Sequence, residues 1–184
     1  MDKLPCVILA GGKSRRMGTD KALLPFGDLS LARYQYERLK ELFDGVYLSA
    51  KSDKFDFNAP LIIDESPIFS PAAAIAHILE SMGDFFAIAV DTPFVGAGEI
   101  EAILAANESG YDAIVAKSSA LHPLIGIYRR SFLPTLRKEL AQHNHKLTAI
   151  LQKAHTKYVE FDDETPFFNC NTPQEFQEAL KLLC

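Results

Sequence analysis

Gly11 and Gly12 are adjacent, and four cations follow within nine positions: Lys13, Arg15, Arg16 and Lys21. A third glycine, Gly18, lies among them. Adjacent glycines let a backbone turn and present its N–H groups without side-chain obstruction. Clustered cations neutralise negative charge. Together they suit a polyphosphate, with N–H groups on the oxygens and cations on the charge that grows as pyrophosphate departs. The planar guanidinium of Arg16 has the bidentate geometry for β- and γ-phosphates, and Arg15 is its solvent-facing neighbour. Lys21, at the end of the segment, can fold back onto the phosphates; the alternative is a surface pair with Asp20. Two better-known phosphate motifs are excluded. Gly12-Lys13-Ser14 matches the tail of G-x-x-x-x-G-K-[ST], but position 7 is Val rather than Gly, and G-x-G-x-x-G does not occur.

Two carboxylates and two amides join this segment as candidates. Asp91 follows the apolar run Phe85–Val90 and precedes Thr92-Pro93. A strand-end carboxylate is a good hard-oxygen ligand for Mg²⁺, which takes one or two carboxylates together with phosphate oxygens and water. Asp before Thr-Pro also favours a turn. Asp64 follows Leu61-Ile62-Ile63 and heads Asp-Glu-Ser-Pro. A fixed carboxylate there can accept from the N1–H and the exocyclic amine of guanine, or simply start a turn. Asn169 and Asn171 flank Cys170 before a helix start at Thr172. Alternation along an extended segment puts both amides on one side, and loop stabilisation is the other reading.

The elements that must position these groups alternate along the chain. Apolar runs of strand length are Cys6–Ala10, Val46–Ala50, Leu61–Ile63, Phe85–Val90, Ala113–Ala116, Ile125–Tyr128 and Tyr158–Phe161. Helical periodicity covers Leu31–Leu42, Ala72–Met82, Gly98–Asn107, Ser131–His143, Thr148–His155 and Pro173–Leu183. Ser30 and Thr172 are N-cap candidates, and Pro71 and Pro173 suit first helical positions. Strands apolar on both faces belong inside a helix-covered sheet. The pattern predicts one α/β domain over residues 1–184, a three-layer αβα sandwich. His122-Pro123 before a strand marks a break in the alternation. Ligands in open α/β sheets bind at the carboxyl ends of strands. Gly11, Ser49, Asp64 and Asp91 all fall at such ends.

Composition narrows the classes further. The 184 residues carry a net charge of −5, which excludes an extended nucleic-acid-binding face and leaves the basic cluster to a small anion. No apolar run approaches a membrane span. Met1-Asp2-Lys3 leads straight into the first strand, so no signal peptide is expected. Three cysteines without C-x-x-C spacing point to free thiols in a reducing cytoplasm. Cys170 reads as a small buried spacer. His143 and His145, two apart in a polar stretch, give no metal site, and Asp162-Asp163-Glu164 reads as a solvated turn.

Residues 9–21, Leu-Ala-Gly-Gly-x-Ser-x-Arg-Met-Gly-x-Asp-Lys, resemble the signature of the molybdenum cofactor guanylyltransferases. Asp64-Glu65-Ser66, Asp91-Thr92-Pro93-Phe94-Val95 and Asn169-Cys170-Asn171-Thr172-Pro173-Gln174-Glu175 resemble the same family in order, so the likeness spans residues 4–183. It implies a Rossmann-like nucleotidyltransferase fold with a mostly parallel mixed sheet. It also implies transfer of GMP from GTP to molybdenum-bearing molybdopterin with Mg²⁺, in the cytoplasm. Cofactor insertion proteins and apo-molybdoenzymes would be downstream partners; nucleic acid and membrane would not. Nucleotide contacts would fall on Leu9, Ala10, Gly11, Gly12, Lys21, Ser49, Asp64, Asp91, Asn169 and Asn171. Asp91 would hold the metal, and Arg16, Lys21 and Asp91 would be catalytic.

The chain departs from that pattern in two places. Ser49 stands where the family often has Asn, and Ser70-Pro71-Ala72-Ala73-Ala74 where it commonly has Gly-Pro-x-x-Gly. The rivals are the same chemistry with CTP or a sugar-phosphate acceptor, and a non-catalytic nucleotide-binding protein. Relatives that use CTP tend to carry Leu-Ala-Ala-Gly where this chain has Leu9-Ala10-Gly11-Gly12, which favours GTP.

Overall fold

The structure is a computed structural model that describes residues 4–12 and 18–183. Its centre is a seven-stranded sheet built from β1 (Cys6–Leu9), β4 (Val46–Ala50), β5 (Leu61–Ile63), β6 (Phe85–Ala89), β7 (Ala113–Lys117), β8 (Leu121–Tyr128) and β9 (Thr156–Glu160). A two-stranded hairpin, β2 (Pro25–Phe26) with β3 (Leu29–Ser30), lies between the first two of these in the chain. The strand order is β5-β4-β1-β6-β8-β7-β9, parallel throughout except that β8 runs against both its neighbours.

The doubly apolar strands divide their side chains between the two faces with period two. Cys6, Ile8, Phe86 and Ile88 join a core with α1 (Leu31–Leu39), α3 (Ala97–Ala105) and α6 (Pro173–Leu183). Val7, Phe85 and Ala87 join a second core with α2 (Pro71–Met82), α4 (Leu133–Ala141) and α5 (Leu147–Leu151). This is the three-layer αβα sandwich read from the sequence. It explains why β6 shows no alternation of polarity: all five of its residues are buried.

Local chemistry sets the helix starts. Ser30 Oγ accepts from Arg33 N, and Ser70 Oγ accepts from Ala73 N at 3.1 Å with Pro71 at the first position. Thr172 and Glu175 cap α6 reciprocally. Glu175 N donates to Thr172 Oγ1 at 3.2 Å, and the Glu175 carboxylate accepts from Thr172 N at 2.8 Å.

Three details differ from the sequence reading. The helix expected over 131–143 opens as a 3₁₀ turn, Arg130–Phe132, and becomes α-helical at Leu133. The helix expected over 148–155 ends at Leu151, because the chain must enter β9 at Thr156. β8 begins at Leu121 and carries His122-Pro123 within it. Its pairing with β7 jumps from Val115↔Gly126 to Ala116↔His122, so Pro123, Leu124 and Ile125 bulge out of the ladder. Proline has no N–H to give a ladder, and a bulge is where a strand can hold one. The register also explains Gly126: a Cβ there would lie 2.2 Å from the Ile114 carbonyl oxygen.

Candidate active site

The chain runs from β1 outward through β4 to β5, then crosses to β6 on the other side of β1. The strand order reverses beside β1, and a cavity of about 460 Å³ opens at that carboxyl edge. Leu9, Ala10, Gly11, Gly12, Lys21, Ser49, Asp64 and Asp91 all line it. Arg16, with Lys13 and Arg15, lies outside the described residues.

Asp91 is held from behind. The Gln35 side-chain amide, fully buried on α1, donates to the carbonyls of Ala89, Val90 and Thr92 at 3.1–3.3 Å. Arg38 Nε donates to Gln35 Oε1 at 2.6 Å, and Arg38 Nη1 to Val95 O at 2.6 Å. Burial pulls the Arg38 pKa below its ordinary value. Thr92 Oγ1 closes the turn on Ala89 O at 2.9 Å. The strand end is therefore pinned by side-chain hydrogen bonds on either side of Asp91, which lines the cavity.

Lys21 meets Asp91 there. Its ammonium is ion-paired to Asp91 Oδ2 and donates to Asn171 Oδ1 at 2.9 Å. Asp91 and Asn171 lie 70 and 150 residues away in sequence. The backbone joins the same group, because Cys170 N donates to Asp91 O at 2.9 Å. Asp20 is not the partner of Lys21; it pairs with Lys54.

Cys170 is buried, and that burial, helped by the Asp91 charge, pushes its thiol up to about 12. It is the inert spacer the sequence suggested. The two asparagines do not share a side. Asn171 N donates to Asn169 O at 3.1 Å, so the segment is tightly turned rather than extended. Asn171 reaches Lys21, while Asn169 Nδ2 folds back to Phe167 O at 3.1 Å.

At Asp64 the picture is different. The residue is 4% exposed, and both its oxygens are engaged. Oδ1 accepts from Ser66 N at 3.0 Å, and Oδ2 is ion-paired with Lys51 Nζ at 2.6 Å. The same ammonium donates to Ile68 O at 3.0 Å and to Ser66 O, and lies 5.0 Å from the centroid of the Phe69 ring. Asp64 thus starts the turn, as one reading had it, and also lines the cavity. Lys51 and Phe69 also line the cavity, and sequence reasoning missed both. Lys51 directly follows the second strand of the parallel series, where the strand-end rule already pointed.

Gly11 and Gly12 do not use the left-handed backbone; Gly18 does, with φ +70°. Their contribution is space. A Cβ on Gly11 would make ordinary contact with Ala50, and one on Gly12 would meet nothing within 4 Å among the described residues. Ser49 is buried, and its carbonyl accepts from Ala10 N at 2.9 Å. Ser70 caps α2 and lines the cavity with Ala74.

Among the described residues no cluster of three His, Cys, Asp or Glu could hold a metal, and no helix is long and apolar enough to cross a membrane. His122, at the β8 bulge, stacks on Phe167 with ring centroids 4.4 Å apart. It shares a 2.7 Å hydrogen bond with Ser118, and burial lowers its pKa.

Residues 6–158 match the family model for a MobA-like NTP transferase domain. A molybdenum cofactor guanylyltransferase from Campylobacter jejuni is 38% identical over 183 residues, covering 97% of this chain and 96% of its own. A molybdopterin-guanine dinucleotide biosynthesis protein A from Archaeoglobus fulgidus superimposes with a TM-score of 0.86 at 24% identity, covering 97% of this chain and 98% of that one. A CMP:2-keto-3-deoxy-manno-octonic acid synthetase complexed with CTP superimposes with a TM-score of 0.80 at 14% identity, covering 99% of this chain and 98% of that one. The last two show the fold, which by itself does not choose the nucleotide.

Proposed function

This chain belongs to the molybdenum cofactor guanylyltransferase family, and from that premise we propose that its cavity binds GTP and transfers GMP to molybdopterin bearing molybdenum. The terminal phosphate of the pterin attacks the α-phosphorus of GTP. A new P–O bond forms, the bond to the β-phosphate oxygen breaks, and pyrophosphate leaves with the electron pair. The attacking phosphate is already anionic, so no strong general base is required. The chain contributes position and charge.

The observation that carries the reading is the meeting of Lys21 and Asp91, which both line the cavity, with Asn171 joining them on the Lys21 ammonium. On this reading Lys21 neutralises the charge that builds on the phosphates. The Gln35 and Arg38 network keeps Asp91 from retreating when an anion arrives.

The donor set fits a divalent ion such as Mg²⁺. One carboxylate oxygen and one amide oxygen, from Asp91 and Asn171, already converge on a single cation, the Lys21 ammonium. When bound, Mg²⁺ would supply charge neutralisation at the phosphate oxygens. Arg16 joins this group on the strength of the family motif alone.

GTP is favoured over CTP by the position beside Gly12, where a Cβ would meet nothing within 4 Å among the described residues, and by the carboxylate of Asp64, whose second lone pairs can still accept from guanine. A site built on such hydrogen bonds rejects a base lacking the donors. The reaction belongs in the cytoplasm, where the free, buried Cys6 and Cys170 stay reduced. The product would pass to insertion proteins and apo-molybdoenzymes.

The test is pyrophosphate release with molybdopterin, Mg²⁺ and each of GTP, CTP and ATP, alongside calorimetry of the nucleotides. Turnover with GTP above the others is expected. A preference for CTP overturns the guanylyl reading and leaves nucleotidyl transfer. Binding without turnover makes the protein a nucleotide carrier.

A further inference from the structure

We infer that Lys54, which lies outside the motifs quoted above, is a positioning residue for the triphosphate. Its ammonium donates to Ala10 O at 2.8 Å and is ion-paired to Asp20 Oδ2. Ala10 and Asp20 are the two ends of the segment that carries Gly11, Gly12, Gly18 and the cations Lys13, Arg15 and Arg16. One ammonium, from a stretch of chain 34 residues beyond Asp20, therefore ties both ends of that segment together.

The contact is built into the fold. The Lys54 side chain is 18% exposed. Its carbonyl partner is the first residue past β1, on the residue whose N–H already pairs with Ser49 O. The other Asp20 oxygen, Oδ1, accepts from Ala22 N at 3.1 Å and caps the 3₁₀ turn Lys21–Leu23. A continuous chain of contacts thus runs from the end of β1 through Lys54 and Asp20 to the turn that presents Lys21.

Fixing the turn that carries Lys21 costs conformational entropy. Tying Asp20, which caps that turn, to the end of β1 in advance lowers the part of that cost that falls on ligand binding. The gain is realised only by the ligand groups that Lys21 holds. On the reading proposed above, these are the β- and γ-phosphates, which GTP has and GMP lacks.

The inference rests on that reading and separates from it by experiment. Calorimetry in Mg²⁺ compares wild type, Lys54→Met, Lys54→Arg and Asp20→Asn, each with GTP and with GMP, after thermal melts establish that each variant is folded. Lys54→Met should bind GTP roughly tenfold more weakly, the scale of one lost charge-assisted contact, with GMP affinity within about twofold of wild type. Lys54→Arg should recover most of the loss. Asp20→Asn, which keeps an oxygen for Ala22 N, should reproduce the selective loss. Unchanged GTP affinity in folded Lys54→Met overturns the inference. So does an equal loss for GTP and GMP, which is the mark of a general structural residue. If wild type prefers CTP, the guanylyl reading fails, and CTP against CMP decides the Lys54 question by the same criterion.

Discussion

Two lysine–aspartate pairs line the same cavity and are put together differently. Lys21 and Asp91 meet with Asn171 from three distant parts of the chain, and only the tertiary fold brings them together. Lys51 and Asp64 meet beside β4 and β5, and the ammonium is also held by the carbonyls of Ser66 and Ile68 in the loop that follows. Each Asp64 oxygen has a partner from that neighbourhood. The first pair is an assembly of hard oxygens around a cation at the carboxyl edge of the sheet. The second is a clasp that fastens the β5–α2 loop as a wall. A short charge–charge contact therefore does not define a role; the origin and number of the other partners do.

Asp91→Asn is the strongest way to break the comparison. Asn keeps the shape and can offer an oxygen, but it loses the charge needed for Mg²⁺ and for Lys21. Guanylyl transfer should fall about a thousandfold, the upper range for removing one preorganised electrostatic group. Mg²⁺ titrations should shift to higher concentration. Unchanged activity and Mg²⁺ dependence would make Asp91 a turn residue.

Lys21→Ala should cost at least about a hundredfold in turnover. The variant should stay folded, because Lys21 itself belongs to neither core, but the melt should fall by a few degrees because Asp91, with its side chain 15% exposed, loses its ion-pair partner. Near-normal turnover in a folded variant removes Lys21 from the mechanism.

Lys51→Met probes the other pair and should show a different signature. It leaves a nearly buried carboxylate with only the Ser66 N–H as partner. That should cost about 2 kcal/mol and lower the melting temperature by roughly 6 °C. KM for GTP should rise about fivefold as the loop wall loosens, while kcat stays close to wild type. The double variant Lys51→Met/Asp64→Asn removes the stranded charge and should regain much of the melt without regaining GTP selectivity. A collapse of kcat in Lys51→Met, equal to that of Lys21→Ala, would erase the distinction between the pairs.

The comparison also marks what the sequence could and could not reveal. The layers and the cavity's edge were legible because strands apolar on both faces must be covered twice, and because Gly11, Asp64 and Asp91 follow strand-length runs while Ser49 lies at the end of one. Lys21 was legible from its motif. Its partners were not fixed by spacing: adjacency suggested Asp20, yet the fold gives Asp20 to Lys54 and brings Asp91 and Asn171 to Lys21. Lys51 and Lys54 were invisible because a lysine's role depends on which oxygens lie within reach, and those oxygens are largely backbone carbonyls, which carry no residue signature. The β8 bulge was signalled by His122-Pro123, but its size depends on pairing with β7.

The asparagines give the finest test. The sequence treats Asn169 and Asn171 as equivalent, because alternation in an extended strand would align them. The tight turn between them makes them unequal: Asn171 adds an oxygen to the Lys21–Asp91 group, and Asn169 fastens its own loop through Phe167 O. Asn171→Ala should therefore lower kcat/KM about tenfold, the loss of one hydrogen bond to a charged group. Asn169→Ala should lower it no more than about twofold, with its effect seen in the melt. Steady-state kinetics on the two single variants, with GTP varied, decides the matter. The reverse ranking would mean that Asn169 leaves Phe167 when nucleotide binds. Its amide would then belong to the first group rather than to the loop, and the division between an assembled site and its local supports would have to be redrawn at that residue.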